Sequence, residues 1–417
     1  MRVLVGVVPV AGHVGPVSAV VAELVRRGHD VRVHTGAGFS DRFAGLGARV
    51  VPWSAARDFD ADDLTASFPE AAGSPMREVM ALVRRGFLGT APGQVQDLLG
   101  ELEREPADVL VADSMCLGPG LTGELTGVPW ATLNVLPFNP TDSPVPVGLP
   151  VPPLAGPVGR VRDRAVRLGY RLLTSGFQRV YQRARAEVGL PKARGVYGEA
   201  FVSDRLVLAT GCPGLEPYGV RVSQQVHHVG QLGLAGVDLP APPIELPTAR
   251  PLVLVSQGTI DIDATELLQP ALAGLADDDV TVLVTTGRRG VVEIGVPVPP
   301  NADVVDLVDF DEVLPATALF VSNGGWGGVL AALAAGVPVV VAPGRAADKP
   351  YVAKRVAAAG VGVNLRRRQP QPEQVAAAVR TVLGDPAFTQ RAQQLATELA
   401  DCGGVGSAAD LLEALAF

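Results

Sequence analysis

Cysteines are scarce in this sequence, and long apolar runs and a surplus of positive charge are missing. The three cysteines, Cys116, Cys212 and Cys402, lie far apart and form no C-x-x-C pair. This argues against a disulfide framework or a zinc knuckle and predicts buried thiols in a cytoplasmic protein. The 43 acidic residues outnumber the 35 basic ones, which disfavours a nucleic-acid binder because phosphate backbones need clustered basic side chains. No uninterrupted apolar run reaches the ~18 residues of a membrane span.

The length of 417 residues exceeds what one hydrophobic core normally serves. Domains usually hold about 100 to 200 residues, so two domains are expected. The opening MRVLVGVVPV resembles a signal peptide, but its apolar run breaks at AGHVGP and resumes with helical spacing. Secretion is therefore not expected.

A strand, turn, helix and strand open the chain. Residues 3–8 are typical of a buried strand, AGHVGP predicts a turn, and apolar residues at helical spacing from Val17 to Val25 predict a helix that Gly28 ends. Further buried strands are predicted at 31–35, 109–114 and 130–135. This order predicts a doubly wound parallel sheet, which binds ligands at the carboxyl ends of its strands.

The same pattern restarts after a proline-rich passage at 239–251, LPAPPIELPTARP, which is the expected interdomain linker. Parallel strands are predicted at 252–255, 280–285, 304–307, 319–322 and 337–342. The predicted organisation is α/β, with two Rossmann-like domains at 1–215 and 251–390 and a linker over 216–250. A C-terminal helix within 391–417 is expected to pack back on the first domain.

Prolines also cluster between Leu136 and Pro157, and the arginine-rich stretch from Arg160 to Arg185 has amphipathic helical spacing. We expect the charged face of that helical stretch to be solvated. The whole region is predicted to form a lid or wall over a pocket.

Two polar residues lie where strands of the first sheet are predicted to end. His13 follows the first strand, and Asp113 ends the strand VLVAD. An imidazole with an ordinary pKa of about 6.5 can act as a general base, and a carboxylate can orient it through one ring nitrogen. The alternatives are a solvated loop histidine and an aspartate that caps the next helix. No G-x-S-x-G motif indicates a hydrolase, and the other histidines lack zinc-like spacing.

The strongest motif is FVSNGGWGGVLAALAAGVPVVVAPGRAADKP at 320–350. Gly324, Gly325, Gly327 and Gly328 lie between a predicted strand and a predicted helix, where backbone amides and the helix dipole can bind a diphosphate. The motif is not a dinucleotide fingerprint, because Leu330 occupies the place of the third glycine, and it lacks the ending of a P-loop. Glycine required only for close packing is the alternative.

The S-Q-G-T turn at 256–259 follows the first strand of the second half. Its amides and the Thr259 hydroxyl can bind a phosphate. Asp261 and Asp263 form a D-x-D, which is typical of metal-bridged phosphates, but Asp263 is placed to cap a helix beginning near Ala264. We therefore expect no metal site.

These motifs together resemble the family 1 glycosyltransferases of the GT-B fold, particularly the bacterial enzymes that glycosylate antibiotics and aromatic polyketides. The resemblance rests on the G-H-V-x-P loop, the V-A-D strand end, the S-Q-G-T turn, the DLVDFDEVLP segment and the SNGGWGG…ADKP block, and it covers nearly the whole chain. It implies two Rossmann-like domains that face each other across a cleft, the first binding the acceptor and the second the nucleotide sugar. It also implies inverting transfer without a metal or other cofactor.

By this resemblance, His13 is the base that deprotonates the acceptor, and Asp113 is its partner. The co-substrate would be a dTDP- or UDP-sugar, with the pyrimidine read by the backbone of Val308 and the sugar hydroxyls by Asp348. The full implied donor-binding set is Gly12, Gly258, Thr259, Val308, Asn323, Gly324, Gly325, Trp326, Gly327, Gly328, Asp348 and Lys349. Many relatives carry His, Gln and Trp where this chain has Asn323, Lys349 and Leu307.

Variable apolar residues of the first domain line the acceptor site in this family. The set here is Trp53, Phe59, Phe68, Met76, Met80, Phe87, Met115 and Phe138, which implies an acceptor of the aromatic polyketide or macrolide type; ordinary core packing is the alternative. A nucleotide-sugar epimerase of the same fold and a non-catalytic auxiliary protein are the other functions left open. The expected binding partners are therefore small molecules, and the sequence leaves open whether the chain forms a homodimer.

Overall fold

The computed structural model describes residues 1–61, 63–140, 145, 149, 154, 156–216, 221–233, 250–258, 263–346 and 348–416, without the side chains of Pro75 and Met76. The chain divides into two compact units. Unit 1 comprises Met1–Thr210, Val220–Gly236 and Gly403–Phe417, and unit 2 comprises Gly211–Gly219 and Val237–Cys402.

The strands among the described residues are β1 (Arg2–Gly6), β2 (Asp30–Thr35), β3 (Arg49–Pro52), β4 (Val109–Asp113), β5 (Trp130–Asn134), β6 (Leu206–Thr210), β7 (Val226–Gly230), β8 (Leu252–Ser256), β9 (Thr281–Thr285), β10 (Ala302–Val305), β11 (Thr317–Ser322), β12 (Val339–Val341) and β13 (Gly362–Asn364). The helices are α1 (Ala11–Arg26), α2 (Ser40–Gly45), α3 (Leu64–Ser67), α4 (Pro75–Ala81), α5 (Ala91–Arg104), α6 (Leu117–Thr126), α7 (Gly156–Leu173), α8 (Ser175–Glu187), α9 (Leu268–Leu275), α10 (Phe310–Val313), α11 (Trp326–Ala334), α12 (Lys349–Ala358), α13 (Pro372–Gly384), α14 (Pro386–Asp401) and α15 (Gly404–Ala416).

Unit 1 is built on a parallel sheet whose described strands follow the order β3-β2-β1-β4-β5-β6-β7. The order reverses between β1 and β4, which makes their carboxyl ends the switch point where doubly wound sheets bind ligands. All strands predicted for this unit are present, because buried parallel strands are continuous apolar runs.

Unit 2 repeats this architecture with the described strand order β10-β9-β8-β11-β12-β13, again parallel throughout. Its switch point lies between β8 and β11, whose ends Ser256 and Ser322 are partners in register. The two sheets confirm the predicted α/β class with two Rossmann-like folds. In the part of the chain that the structure describes, no helix is both long and apolar enough to cross a bilayer.

The predicted turn at AGHVGP is wrong, because these residues form the first turn and a half of α1. The helix begins after Val10, whose backbone is extended, and it includes Pro16. Pro16 is the sixth helical residue, so its missing N–H removes only one hydrogen bond near the helix start. Glycine and proline in the sequence therefore concealed an early helix that contains His13.

The predicted linker at 216–250 contains β7, which extends the first sheet, so that part of the prediction is wrong. Residues 217–220 and 234–249 lie outside the described residues, as do all five prolines between 141 and 155. The arginine-rich stretch forms α7 and α8, which agrees with the expected helical spacing.

The C-terminal region forms two helices. The expected domain end at residue 390 falls inside α14, which continues to Asp401 in unit 2. Gly403 and Gly404 then adopt φ values of 82° and 58°, a backbone conformation that favours glycine and separates α14 from α15. Helix α15 packs on α1 within unit 1, where Arg27 Nη1 lies 2.6 Å from an Asp410 carboxylate oxygen.

A buried ion pair connects β2 to α5 in unit 1. Arg32 is fully buried and donates to Glu101 Oε1 over 3.0 Å and to the carbonyls of Glu105 and Pro106 over 2.8 Å each. Glu101 itself is only 3% exposed. Removing the carboxylate would leave a buried guanidinium charge without its counter-ion.

We expect Glu101→Ala to lower the free energy of unfolding of unit 1 by about 3–5 kcal/mol, the usual cost of breaking a buried pair. Urea denaturation followed by circular dichroism measures this loss. The matched control is Arg32→Met/Glu101→Leu, which removes both charges and should recover most of the stability. Equal stability of Glu101→Ala and the unsubstituted chain would contradict the role assigned to this pair.

Candidate active site

His13 and Asp113 meet at the switch point of unit 1. His13 lies in the first turn of α1, directly after β1, and Asp113 ends the neighbouring strand β4. The His13 Nδ1 atom is 2.7 Å from Asp113 Oδ1. The two residues are buried, with 8% and 1% of their surfaces exposed. The structure therefore brings together the pair that the sequence suggested, although from a helix and a strand rather than from a loop.

The contact favours one tautomer of the neutral imidazole. A carboxylate accepts hydrogen bonds, so the tautomer that carries its proton on Nδ1 can donate to Asp113, and it leaves Nε2 as the basic nitrogen. The carboxylate of Asp113 also accepts the Val8 N–H over 3.4 Å and the Ser114 hydroxyl over 3.3 Å. These contacts hold the carboxylate in place, and it in turn holds the ring.

The charge of Asp113 affects the pKa of the nearby Cys116 thiol. Burial raises the pKa of the Cys116 thiol well above its ordinary value, and the negative charge of Asp113 raises it further. The thiol therefore stays neutral near pH 7, and its Sγ lies 3.4 Å from Gln94 Oε1. As a result, this cysteine adds no second negative charge beside the pair.

An aromatic cluster packs against the imidazole. The ring of Phe87 has its centroid 6.4 Å from that of His13. The Phe59 ring packs against Phe87, Trp53 and Phe68, with centroid distances of 5.9 to 6.3 Å. All four aromatic rings are nearly buried, and Phe68 is only 1% exposed. Phe68 therefore offers a ligand almost no surface.

The remaining residues of the expected acceptor set are less enclosed. Met80, Met115 and Phe138 are half-buried, and Met115 packs against the aromatic cluster. The side chain of Met76 lies outside the described residues. Among the aromatic side chains of the expected set, Phe87 has a ring that packs beside the His13 imidazole.

In unit 2, matching serine-glycine turns follow the two strands that flank the switch point. The Ser256 hydroxyl accepts the Gly258 N–H over 3.1 Å, and the Ser322 hydroxyl accepts the Gly324 N–H over 3.1 Å. Gly258 and Gly324 have φ values of 71° and 87°, which side chains rarely adopt. The two serines were not among the predicted site residues, although the repeated S-x-G spacing after both strands could have revealed them.

Asn323 joins these two turns. Its amide donates a hydrogen bond to the carbonyl of Gln257, and its side-chain oxygen accepts the Gly325 N–H over 3.3 Å. Gln257, which is 2% exposed, donates in turn to the carbonyl of Asp263. Asn323 thus connects the backbone of the turn after β8 to the backbone of the turn after β11.

Helix α11 begins at this glycine-rich turn. Gly325 is its N-cap and provides no side-chain cap. The first amides of a helix have no partner within the helix, and they carry the positive end of its dipole. Gly327 and Gly328 lie in this first turn and are half-buried, so the helix start has the backbone chemistry that binds a phosphate.

The first residue of α12 lies against the same turn. A Cβ atom on Gly324 would lie 3.1 Å from the carbonyl oxygen of Lys349 and 3.1 Å from a methyl of Val341. Lys349 is buried at the first position of α12, and Asp348 precedes it as the N-cap. The structure therefore places Lys349 beside the glycine-rich turn, with Asp348 next to it in the chain.

Other members of the expected donor set differ in their surroundings. The Trp326 indole and the Val308 side chain are buried in the core of unit 2, so only their backbone can face a ligand. Gly12 is an exposed residue of α1 in unit 1. Thr259 and Asp261 lie outside the described residues.

The predicted helix start near Ala264 is wrong, because α9 begins at Leu268. Asp263 instead accepts the backbone N–H and the hydroxyl of Thr265, over 3.1 and 2.6 Å. The Thr265 hydroxyl bond is the main reason why the pKa of Asp263 is lowered. The carboxylate stabilises a turn, a role that short polar side chains perform as readily as capping.

Comparisons with known proteins agree with this arrangement. Residues 269–409 match the family model described as the C-terminal domain of erythromycin biosynthesis protein CIII-like proteins. The 4′-demethylrebeccamycin synthase of Lentzea aerocolonigenes is 37% identical, with 99% of each chain covered. The UDP-glucosyltransferase B1 of Starmerella bombicola is 32% identical over 94% of this chain and 93% of its own.

The chain belongs to the family 1 natural-product glycosyltransferases. The crystal structure of glycosyltransferase VinC in complex with dTDP shares the fold, with a TM-score of 0.71, 21% identity, and 100% and 99% of the two chains covered. The two Rossmann-like units of this glycosyltransferase are thus those of the GT-B fold. Neither the relatives nor the structure favours an epimerase or a non-catalytic auxiliary protein.

Proposed function

We propose that this glycosyltransferase moves a sugar from a dTDP- or UDP-sugar to a hydroxyl of an apolar natural product, with inversion at the anomeric carbon. The acceptor oxygen forms a bond to C1 while the bond from C1 to the diphosphate oxygen breaks. The acceptor proton passes to Nε2 of His13, and the nucleoside diphosphate leaves with the bonding electrons.

The observation that carries this proposal is the 2.7 Å contact between His13 Nδ1 and Asp113 Oδ1. General-base catalysis needs a basic nitrogen in a defined orientation. The carboxylate supports that orientation and stabilises the imidazolium that forms, as in other base and carboxylate pairs. The apolar surroundings of His13 support an apolar acceptor, because the Phe87 ring packs beside the imidazole and the half-buried Met115 packs against the same aromatic cluster.

The donor proposal rests on unit 2. Negative charge grows on the diphosphate as the bond to C1 lengthens, and the amides at the start of α11 can stabilise that charge more than the ground state. A dTDP molecule is bound in the VinC structure, and the B1 relative is named a UDP-glucosyltransferase. Both nucleotides are therefore candidates for this enzyme.

The direct test incubates the purified full chain with dTDP- and UDP-sugars and a panel of aromatic polyketide and macrolide acceptors. Mass spectrometry should detect an acceptor enlarged by one sugar, and NMR of the anomeric proton should show inverted configuration. A retained configuration would contradict the single displacement. Turnover that begins only when a second protein is added would contradict an independently active enzyme.

Transfer is expected to be independent of divalent metal. Backbone amides and a helix terminus take the place of a cation at the diphosphate in this proposal, so the rate in EDTA should equal the rate without it. Initial rates with EDTA, and after addition of Mg²⁺ or Mn²⁺, measure this directly. A rate that EDTA abolishes and Mg²⁺ or Mn²⁺ restores would contradict the expectation.

A further inference from the structure

The outward face of α7 is apolar although the helix is rich in arginine. Val158, Val161, Leu168 and Leu172 are 75%, 67%, 59% and 68% exposed. Together with exposed Ala165 they follow spacings of three and four residues, which place them on one stripe along the helix. Exposed apolar residues scattered singly are normal, but a continuous stripe of them indicates an interaction surface.

The opposite face of α7 is fixed to unit 1. Gly159 and Asp163 are buried, and Arg167 Nη2 lies 2.8 Å from Glu199 Oε1. A Cβ on Gly159 would lie 1.7 Å from the carbonyl oxygen of Leu154, so the preceding chain lies directly against this side of the helix. The packing therefore sets the apolar stripe toward the outside.

Exposed arginines lie beside the apolar stripe of α7. Helix α7 carries five arginines and a single acidic residue, the buried Asp163. Arg160, Arg164 and Arg171 are exposed, and their spacings of four and seven residues place them in a row along one side of the stripe. Because the whole chain has a net charge of -8, this surface is a local exception to an acidic protein.

We propose that α7 docks the enzyme on an anionic membrane surface, lying in the plane of the interface. An amphipathic helix with an apolar face and flanking arginines inserts that face at the boundary of headgroups and acyl chains. The arginine stems can extend their guanidinium groups to the lipid phosphates. Five arginines in this helix are incompatible with spanning the bilayer.

Charge favours a membrane over a second copy of this chain. Two α7 helices packed antiparallel by their apolar stripes would bring their arginine rows together, where like charges oppose association, and parallel packing would leave both rows without an anionic partner. An anionic lipid surface complements both the stripe and the row. The proposal is independent of the sugar donor and of the base.

The test is co-sedimentation of the full chain with vesicles of phosphatidylcholine alone or of equal parts phosphatidylcholine and phosphatidylglycerol. The protein should bind the mixed vesicles strongly and the neutral ones weakly. Arg160→Gln/Arg164→Gln/Arg171→Gln should weaken binding to mixed vesicles by about 10²-fold, since each arginine near such a surface contributes about fivefold. Leu168→Gln/Leu172→Gln should weaken it by about tenfold or more, because the apolar face is lost.

The matched control is Val292→Gln/Val298→Gln, which changes exposed valines of unit 2 and should leave binding unaltered. Far-UV circular dichroism shows whether each variant is folded. Three results would each overturn the proposal: no binding of the unsubstituted chain, equal binding to both vesicle types, or full binding by the α7 variants. Sedimentation velocity without lipid provides a fourth, since a dimer that Leu168→Gln/Leu172→Gln dissociates would assign the stripe to a second copy.

Discussion

His13→Ala is expected to lower kcat for a weakly acidic alcohol acceptor by about 10²–10⁴-fold, the usual contribution of a general base. Donor affinity should hardly change, because the residues proposed to bind the diphosphate belong to unit 2. Initial-rate kinetics gives kcat, and calorimetry with dTDP or UDP gives the affinity. Alanine has a high helix propensity, and far-UV circular dichroism shows whether His13→Ala is folded despite the buried Asp113 carboxylate that it leaves unpaired with an imidazole.

The control for this variant is His227→Ala, which removes an exposed histidine of β7 away from the switch point. It should retain full activity. Near full kcat in His13→Ala with the same alcohol would contradict the role proposed for His13. A large loss of nucleotide affinity in His13→Ala would also contradict it, because the imidazole would then act on the donor.

Asp113→Asn is also expected to reduce kcat, but by a smaller factor, on the order of 10²-fold. The amide keeps the shape of the side chain and removes the charge that stabilises the imidazolium. The loss of activity at acid pH should move to lower pH, because an imidazole without a neighbouring carboxylate is harder to protonate. The pH profile of kcat/KM measures this shift, which a purely structural defect would not produce.

The combined His13→Ala/Asp113→Asn variant tests whether the two residues act as one unit. It should be no slower than His13→Ala alone, since Asp113 acts only through the imidazole. The control is Asp108→Asn, which alters the aspartate paired with Arg2 just before β4 and should leave kcat unchanged. Independent, multiplicative losses in the combined variant would contradict the pairing.

Most strands of the two sheets were predictable because parallel strands buried on both faces have continuous apolar sequences. Four strands were not predicted from the sequence: β6 is a continuous apolar run, LVLAT, and was missed all the same, whereas the other three lack such runs. β3 is four residues long with an arginine and a proline, β7 contains two histidines, and β13 has only three residues. Their pairing is determined by the neighbouring strands rather than by their own composition.

The sequence alone predicted at which strand ends the residues of the candidate site lie. Because His13 and Asp113 follow or end parallel strands, the fold places both at one edge of the sheet. The hydrogen bond depends on the early start of α1 at Ala11, which glycine and Pro16 concealed. The serine contacts to Gly258 and Gly324 have a signal in the repeated S-x-G spacing, but a single serine side chain has several alternative local hydrogen bonds, so only the repeat could indicate them.

The most direct test of the central claim compares the unsubstituted enzyme with His13→Ala across acceptors of increasing acidity and similar shape, from alcohols to phenols that are ionised at the assay pH. If His13 removes the acceptor proton, the ratio of the two kcat values should fall steadily as the acceptor becomes more acidic, approaching one for an ionised phenol. A ratio that stays constant across the series would show that the loss does not arise from proton transfer, and it would contradict the account.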